Sequence, residues 1–274
     1  MRKLRRGGGA AVATLSLMLT VCAFTAPGRA PALPLGGPMV SAPGHAGPGL
    51  MLAGRNVVVH SLNWAGYAAA RAGTAFRSVR AAFFVPYVDC TSTPGAYSSH
   101  WAGLDGLGSS SVEQLGVAAG CAGSRPQYYA WYEMYPKPVS GVFAVKAGNA
   151  IVVSVYYQAQ RRRFVLTLRD LTTGRHFSRS AKCAAKMCTR SSAEVISEAP
   201  SDTSGNILPL ANYRAASFSG VTLTSTAGHR GGLVSRWWST YQIIGVGQSS
   251  RQVTQQPTSL LRGQAFTNYW RREN

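Results

Sequence analysis

From about Val57 to the C-terminus, the chain is written in short apolar runs split by Gly, Ser, Thr and Pro. Runs over 79–85, 128–135, 150–157, 164–168 and 216–224 carry the β-branched and aromatic residues that suit a pleated, half-buried surface. No long stretch keeps the 3.6-residue period of an amphipathic helix. Residues 171–175 (LTTGR) read as a turn between two strands, and Arg161-Arg162-Arg163 as an exposed turn. No internal repeat is present. Short strands at regular spacing predict an all-β fold, a two-sheet antiparallel β-sandwich of the jelly-roll or concanavalin-like kind over 58–274. The tail after Gly228 is less regular. Trp237, Trp238, Tyr241, Phe266, Tyr269 and Trp270 are expected to anchor it in the core, with a last strand from 259–270.

The texture differs upstream. Residues 1–6 (MRKLRR) are basic, and 10–26 are apolar and followed by small residues, which is the form of a secretory signal peptide over 1–32. The Ala30-Pro31-Ala32 context places cleavage after Ala32. A lipoprotein signal at Leu19-Thr20-Val21-Cys22 is disfavoured, because Val is bulky before the Cys that would be modified. Residues 33–57, rich in Pro, Gly and Ala, read as a linker or short pro-segment. Nothing later approaches 18 uninterrupted apolar residues, so no membrane span is expected. The expectation is a secreted, extracellular protein, monomeric by default.

Export changes the reading of the cysteines. Cys22 leaves with the signal peptide, and Cys90, Cys121, Cys183 and Cys188 remain for an oxidising compartment. The favoured pairing is Cys90–Cys121 with Cys183–Cys188. A zinc site is the rival, but no close Cys-x-x-Cys pair exists and the five histidines are scattered, so no metal is expected. Loss of 1–32 leaves 23 basic against 9 acidic residues, a charge of +14. Such a field attracts anionic polymers non-specifically. No nucleic-acid-binding motif accompanies it, so specific nucleic-acid recognition is not expected.

In so basic a chain the carboxylates are conspicuous. Five of the nine fall in four short islands: WAGLDG (101–106), VEQLGV (112–117), YYAWYEMYP (128–136) and AEVISE (193–198). Two-residue alternation puts Tyr129, Trp131, Glu133 and Tyr135 on one face of a strand, so Glu133 sits in a row of aromatics. Glu194 and Glu198 share a face but lie roughly 13 Å apart along it, too far to act as a catalytic pair with each other.

These islands, with Asn63-Trp64-Ala65-Gly66 before them and Pro209-Leu210-Ala211-Asn212 after, occur in an order that resembles the glutamic peptidase (eqolisin) family of secreted acid endopeptidases. The resemblance spans roughly 62–218, and the chain is identified as a bacterial secreted member. It implies a sandwich of two curved antiparallel sheets and a catalytic dyad of one Gln and one Glu. The family Gln lies in an Ile-Leu-Gln-Thr-Gly context, which Gln114 matches. The family Glu closes Ala-Glu-x-Ile-x-Glu, which points to Glu198 rather than Glu194. Trp101, Asp105 and Glu133 match positions that line or support the family's cleft. Leu115 stands where a Thr commonly follows the Gln, and Ala199 where an Asp often follows the Glu.

The implied chemistry acts on protein or peptide substrates. Glu198 as general base activates a water and then returns the proton to the leaving amine. The Gln114 amide N–H stabilises the oxyanion. No cofactor is needed. A hydrogen bond shared by Asp105 and Glu133 is expected to require protonation and to confine activity to acid pH. The alternative is a jelly-roll glycoside hydrolase, or a non-catalytic carbohydrate-binding module, using Glu133, Glu198 and the aromatic rows. The chain lacks both the G-x-S-x-G elbow of serine hydrolases and the H-E-x-x-H of metalloproteases.

Overall fold

In the computed structural model, which describes residues 54–249 and 252–274, the short apolar runs become β-strands. In chain order they are β1 (Asn56–Ser61), β2 (Trp64–Ala70), β3 (Phe76–Phe84), β4 (Tyr97–Leu104), β5 (Val112–Ala122), β6 (Arg125–Tyr135), β7 (Ser140–Ala144) and β8 (Ala150–Gln158). Then follow β9 (Arg163–Asp170), β10 (His176–Ala181), β11 (Ser192–Glu198), β12 (Ala215–Ser225), β13 (Arg230–Gly231), β14 (Ser239–Val246), β15 (Val253–Pro257) and β16 (Phe266–Trp270). Among the described residues, no helix is long and apolar enough to cross a membrane.

Hydrogen bonding links the strands along one path, β10-β9-β8-β3-β12-β16-β15-β14-β2-β11-β4-β5-β6-β7. Every pairing on it is antiparallel. β1 adds to β14 in parallel, and β13 pairs with β12. The path closes into a sandwich because its two halves bury one face against each other. Phe76, Val79 and Ala81 of β3, Ile151, Val153 and Val155 of β8, and Phe164, Leu166 and Leu168 of β9 share a core with Ala102 and Leu104 of β4, Leu115 and Val117 of β5, and Val195 of β11. Burying one such aliphatic side chain is worth about 1.5–3 kcal/mol, so the interleaving of the two halves holds the sandwich shut.

The two halves differ in how much they hide. β8 and β9 alternate buried and partly exposed positions, as a sheet with one face toward water should. β11 is buried at every position, and β5 at every position but its last. A second apolar cluster covers their outer face: Trp64, Trp101, Trp131, Val112, Ile196 and Tyr241, among others. Doubly buried strands therefore mark the half of the molecule where the unusual side chains collect.

One glycine shows how tightly that face is made. A Cβ on Gly116 of β5 would lie against the His100 carbonyl oxygen and 2.5 Å from the Trp101 Cβ. Gly116→Ala must push β4 and the Trp101 indole aside. The expected cost is about 3 kcal/mol, at the upper end for overpacking. Urea unfolding of the variant measures it, and an unchanged midpoint would mean that β4 yields freely.

The structure refines several expectations. The last strand is confined to Phe266–Trp270, and β1 already starts at Asn56, inside the segment read as linker. Arg161 and Arg162 lie in a turn, but Arg163 opens β9 and is half-buried. Of the tail aromatics, Trp238 and Phe266 enter the main core and Tyr241 the outer cluster, whereas Tyr269 is exposed. Disulfides join Cys90 to Cys121 and Cys183 to Cys188, the pairing favoured from sequence. Residues 1–32, read from sequence as a signal peptide, and residues 33–53 lie outside the described residues.

Candidate active site

Register on the doubly buried half brings the acidic islands together. β11, β4, β5 and β6 lie side by side, and three cross-strand rows run over their outer face. The first row is Glu194, Gly103, Gln114 and Glu133; the second is Ile196, Trp101, Gly116 and Trp131; the third is Glu198, Ser99, Ala118 and Tyr129. Gln114 and Glu198 thus stand two rows apart on one face, with Trp101 in the row between. Gly116 leaves room beside the Trp101 ring, which meets Trp64 edge-on at 4.9 Å between centroids.

Hydrogen bonds fix both groups. Trp101 Nε1 donates to Glu198 Oε2 at 2.8 Å, and Asn63 Nδ2 donates to Glu198 Oε1 at 3.4 Å. Gln114 Nε2 donates to Glu133 Oε2 at 2.6 Å. Gln114 and Glu198 are fully buried, and Glu133 nearly so. Burial disfavours the charged form and pushes Glu198 well above the usual carboxyl range; the Trp101 N–H opposes this, and the neighbouring Glu133 adds to the rise. Burial likewise pushes Glu133 up to about 8, against the opposing hydrogen bond from Gln114. Because the Glu133 charge adds to the rise of Glu198, the two carboxyls do not both ionise readily, and one proton on the pair is the natural state. Buried polar atoms with no internal partner remain at this face: Gln114 Oε1, Trp64 Nε1 and Trp131 Nε1.

Asp105 has a different place from the one expected. It follows β4 in a left-handed turn, with φ 68°, a conformation that Asp tolerates better than most residues. Its carboxylate accepts from the backbone N–H groups of Arg190 and Ser191, at 2.6 and 2.9 Å, and from the hydroxyls of Ser111, Thr189 and Ser191. No hydrogen bond joins it to Glu133. Asp105 lies beyond the end of β4 and gathers the 189–191 segment that leads into β11, whereas Glu133 lies in the row of Gln114. The expected shared hydrogen bond is therefore replaced by two separate networks, one holding the β11 entry and one holding the amide.

Sequence reasoning assigned no role to four residues here. Asn63 and Trp64 stand at the Glu198 end of the face, and their signal was the Asn-Trp pair that opens the series of islands. Glu113 and Glu194 are fully buried, and the polar groups nearest their carboxyls, Ser111 and Asp105 at Glu113 and Ser192 and the Leu107 N–H at Glu194, fall short of hydrogen-bonding geometry. Burial pushes both well above the ordinary range, and the charge of Asp105 adds to the rise. The signal for Glu113 was its position: it shares parity with Leu115 and Val117, which point into the core. Among the described residues, no group of three or more His, Cys, Asp or Glu side chains is arranged to hold a metal ion.

Comparison with known proteins bears on this geometry. The model of the Peptidase A4 family matches residues 62–260. Among solved structures, scytalido-glutamic peptidase with a peptide-based transition-state analogue is similar at TM-score 0.64 and 24% identity, over 76% of this chain and 98% of that one. SCP-B, an eqolisin-family peptidase in complex with the tripeptide Ala-Ile-His, is similar at TM-score 0.63 and 23% identity, with the same coverage. Aspergilloglutamic peptidase from Aspergillus niger follows at TM-score 0.55 and 21% identity, over 64% of this chain and 99% of that one. No curated protein matches the chain.

Proposed function

This chain belongs to the Peptidase A4 family, and from that premise we propose that Gln114 and Glu198 hydrolyse peptide bonds as a pair. By family the protein is a hydrolase of the glutamic endopeptidase type. The observation that carries the assignment of roles is the way the two side chains are held. Glu133 occupies one N–H of the Gln114 amide and so orients it, while Trp101 and Asn63 present N–H groups to Glu198 on the same face.

The working state is the Glu133–Glu198 pair with one proton. Glu198 receives two N–H donors, which favour its anion, so the proton rests on Glu133. Protonated Glu133 still accepts from Gln114 through its carbonyl oxygen. Carboxylate Glu198 takes a proton from a water that attacks the scissile carbonyl carbon. The second N–H of Gln114 donates to the resulting oxyanion. Protonated Glu198 then gives its proton to the leaving amine, and the C–N bond breaks. Trp101 and Trp64 keep the carboxyl dry, and Asp105 holds the entry to β11 in place.

The pH dependence tests this reading. Activity should fall as pH rises through the Glu133 titration, because loss of that proton puts a second negative charge beside Glu198. Glu133→Gln keeps position 133 neutral and still accepts from Gln114. Cleavage of a denatured protein from about pH 2 to about pH 8 should show the variant within about 10-fold of wild type on the acid side, with its alkaline limb displaced upward. An unmoved alkaline limb would remove Glu133 from the mechanism. A wild type that cuts nothing across that range would remove the peptidase reading itself.

The N-terminal pattern and the two disulfides support export, with residues 1–32 as signal peptide, 33–57 as linker or pro-segment, and the sandwich acting outside the cell.

A further inference from the structure

The two ends of the strand path, β7 and β10, come near one another, and the Tyr132 ring of β6 stacks on Phe177 of β10 at 5.1 Å between centroids. Beside this stack lies a cavity of about 470 Å³. Its lining includes Lys137, Arg163, Arg179 and Lys182, the hydroxyls of Ser140 and Ser180, and no carboxylate. Arg214–Asp89, elsewhere on the surface, is the one ion pair among the described residues. We propose that this cavity is a binding site for a phosphate or sulfate ester group, separate from the peptide cleft.

Four observations support the site. Four like charges around one cavity repel each other, and a bound oxyanion relieves that repulsion. Arg163 is already set in place: its Nε donates to Ser180 Oγ at 2.8 Å and its Nη2 to the Ser180 carbonyl at 2.9 Å. Three N–H groups of the same planar fork stay uncommitted, and such a fork matches tetrahedral oxyanions in bidentate fashion. The Ser180 hydroxyl accepts from Arg163, so its own proton is available to an anion. Finally, Tyr132 and Met134 line the cavity while Trp131 and Glu133, alternate residues on β6, face the outer cluster and Gln114. The cavity therefore backs onto the strand that carries Glu133 without opening into its network.

Acid–base chemistry selects the ligand class. In acid a carboxylate loses its charge, whereas a phosphate monoester, with its second pKa near about 6, keeps at least one negative charge. An acidic peptide would let go where the oxyanion still binds.

Calorimetric titration of the purified chain at about pH 3, where Asp side chains are mostly protonated, with ionic strength held constant by sodium chloride, tests the proposal. The probes are inorganic phosphate, inorganic sulfate, a phosphoserine peptide and the same peptide with Asp in place of phosphoserine. Saturable one-site binding of an oxyanion probe is expected, weakened at least 10-fold in the double variant Arg179→Ala/Lys182→Ala. Both residues are exposed and neither belongs to the cleft, so peptidase activity should be unchanged in that variant. Tighter binding of the phosphopeptide than of free phosphate identifies an ester on a polypeptide, and equal binding a free oxyanion; each sustains the site. Binding no different from the chloride background, binding untouched by the double variant, or an Asp peptide as tight as the phosphopeptide overturns it. Because peptidase activity is read separately, failure here leaves the function of the cleft unaffected.

Discussion

Gln114→Ala is expected to lower kcat by about 100- to 1000-fold with little change in KM, because the amide meets the oxyanion only in the transition state. Glu198→Gln should cost about as much or more, since it removes the one group that both takes and returns a proton in the proposed mechanism. Both variants keep the volume of the site close to wild type or reduce it, so folding can be checked by tryptophan fluorescence, to which buried Trp101 beside Glu198 is a local reporter. The pair should also be non-additive. Once Glu198 cannot activate water, the oxyanion that Gln114 serves no longer forms by this route, so the double variant should be little worse than the poorer single one. A folded Gln114→Ala enzyme within about 10-fold of wild type would sink the dyad. It would also revive a two-carboxyl reading through Glu133 and Glu198, in which Gln114 has no chemical task.

How much of this was visible in the chain follows from what kind of order each feature has. β8 and β9 face water on one side, so their alternation is written residue by residue, and the predicted runs fall on them closely. The same alternation correctly put Glu133 in line with Trp131 and Tyr129. The strands that carry the proposed dyad do not alternate, because an aromatic cluster covers their second face. Their acids stood out by scarcity, not by period. Gln114 and Glu198 were reached through a family resemblance, since nothing local distinguishes either from a solvated polar residue. Partnerships between distant segments stayed hidden. Asp105 is bound by residues 84 to 86 positions away, and the basic cavity draws on β6, β7, β9, β10 and the segments after β6 and β10. Sequence spacing holds no record of such meetings; only the register of the folded sheets brings them about.

Buried carboxyls set the second large effect, a fold stable in acid and labile toward neutrality. Glu113 and Glu194 are held well above the ordinary value by burial, and Glu133 at about 8. A carboxyl whose folded pKa is raised binds its proton more tightly in the native state. Its stabilisation is complete below the unfolded value of 4.5 and is lost as pH rises toward the folded value. Each such group removes up to about 1.4 kcal/mol per pH unit over that window. His100 works in the opposite sense. Fully buried between Ser98 and Ser197, it is lowered from 6.5 to about 3, so it costs stability as pH falls through that range. The raised carboxyls outweigh one imidazole between 4.5 and 6.5, and above 6.5 that imidazole no longer opposes them. Urea midpoints should therefore peak near about pH 4.5 and decline steadily toward about pH 8. Glu113→Leu, which restores the apolar residue of the family's Ile-Leu-Gln-Thr-Gly context, should flatten the decline by one group's share. Leu there would sit with Leu115 and Val117, facing the core without a proton to lose. Midpoints that hold level or rise from about pH 4.5 to about pH 8, or a Glu113→Leu variant whose decline parallels wild type, would show that these carboxyls reach water in the folded state.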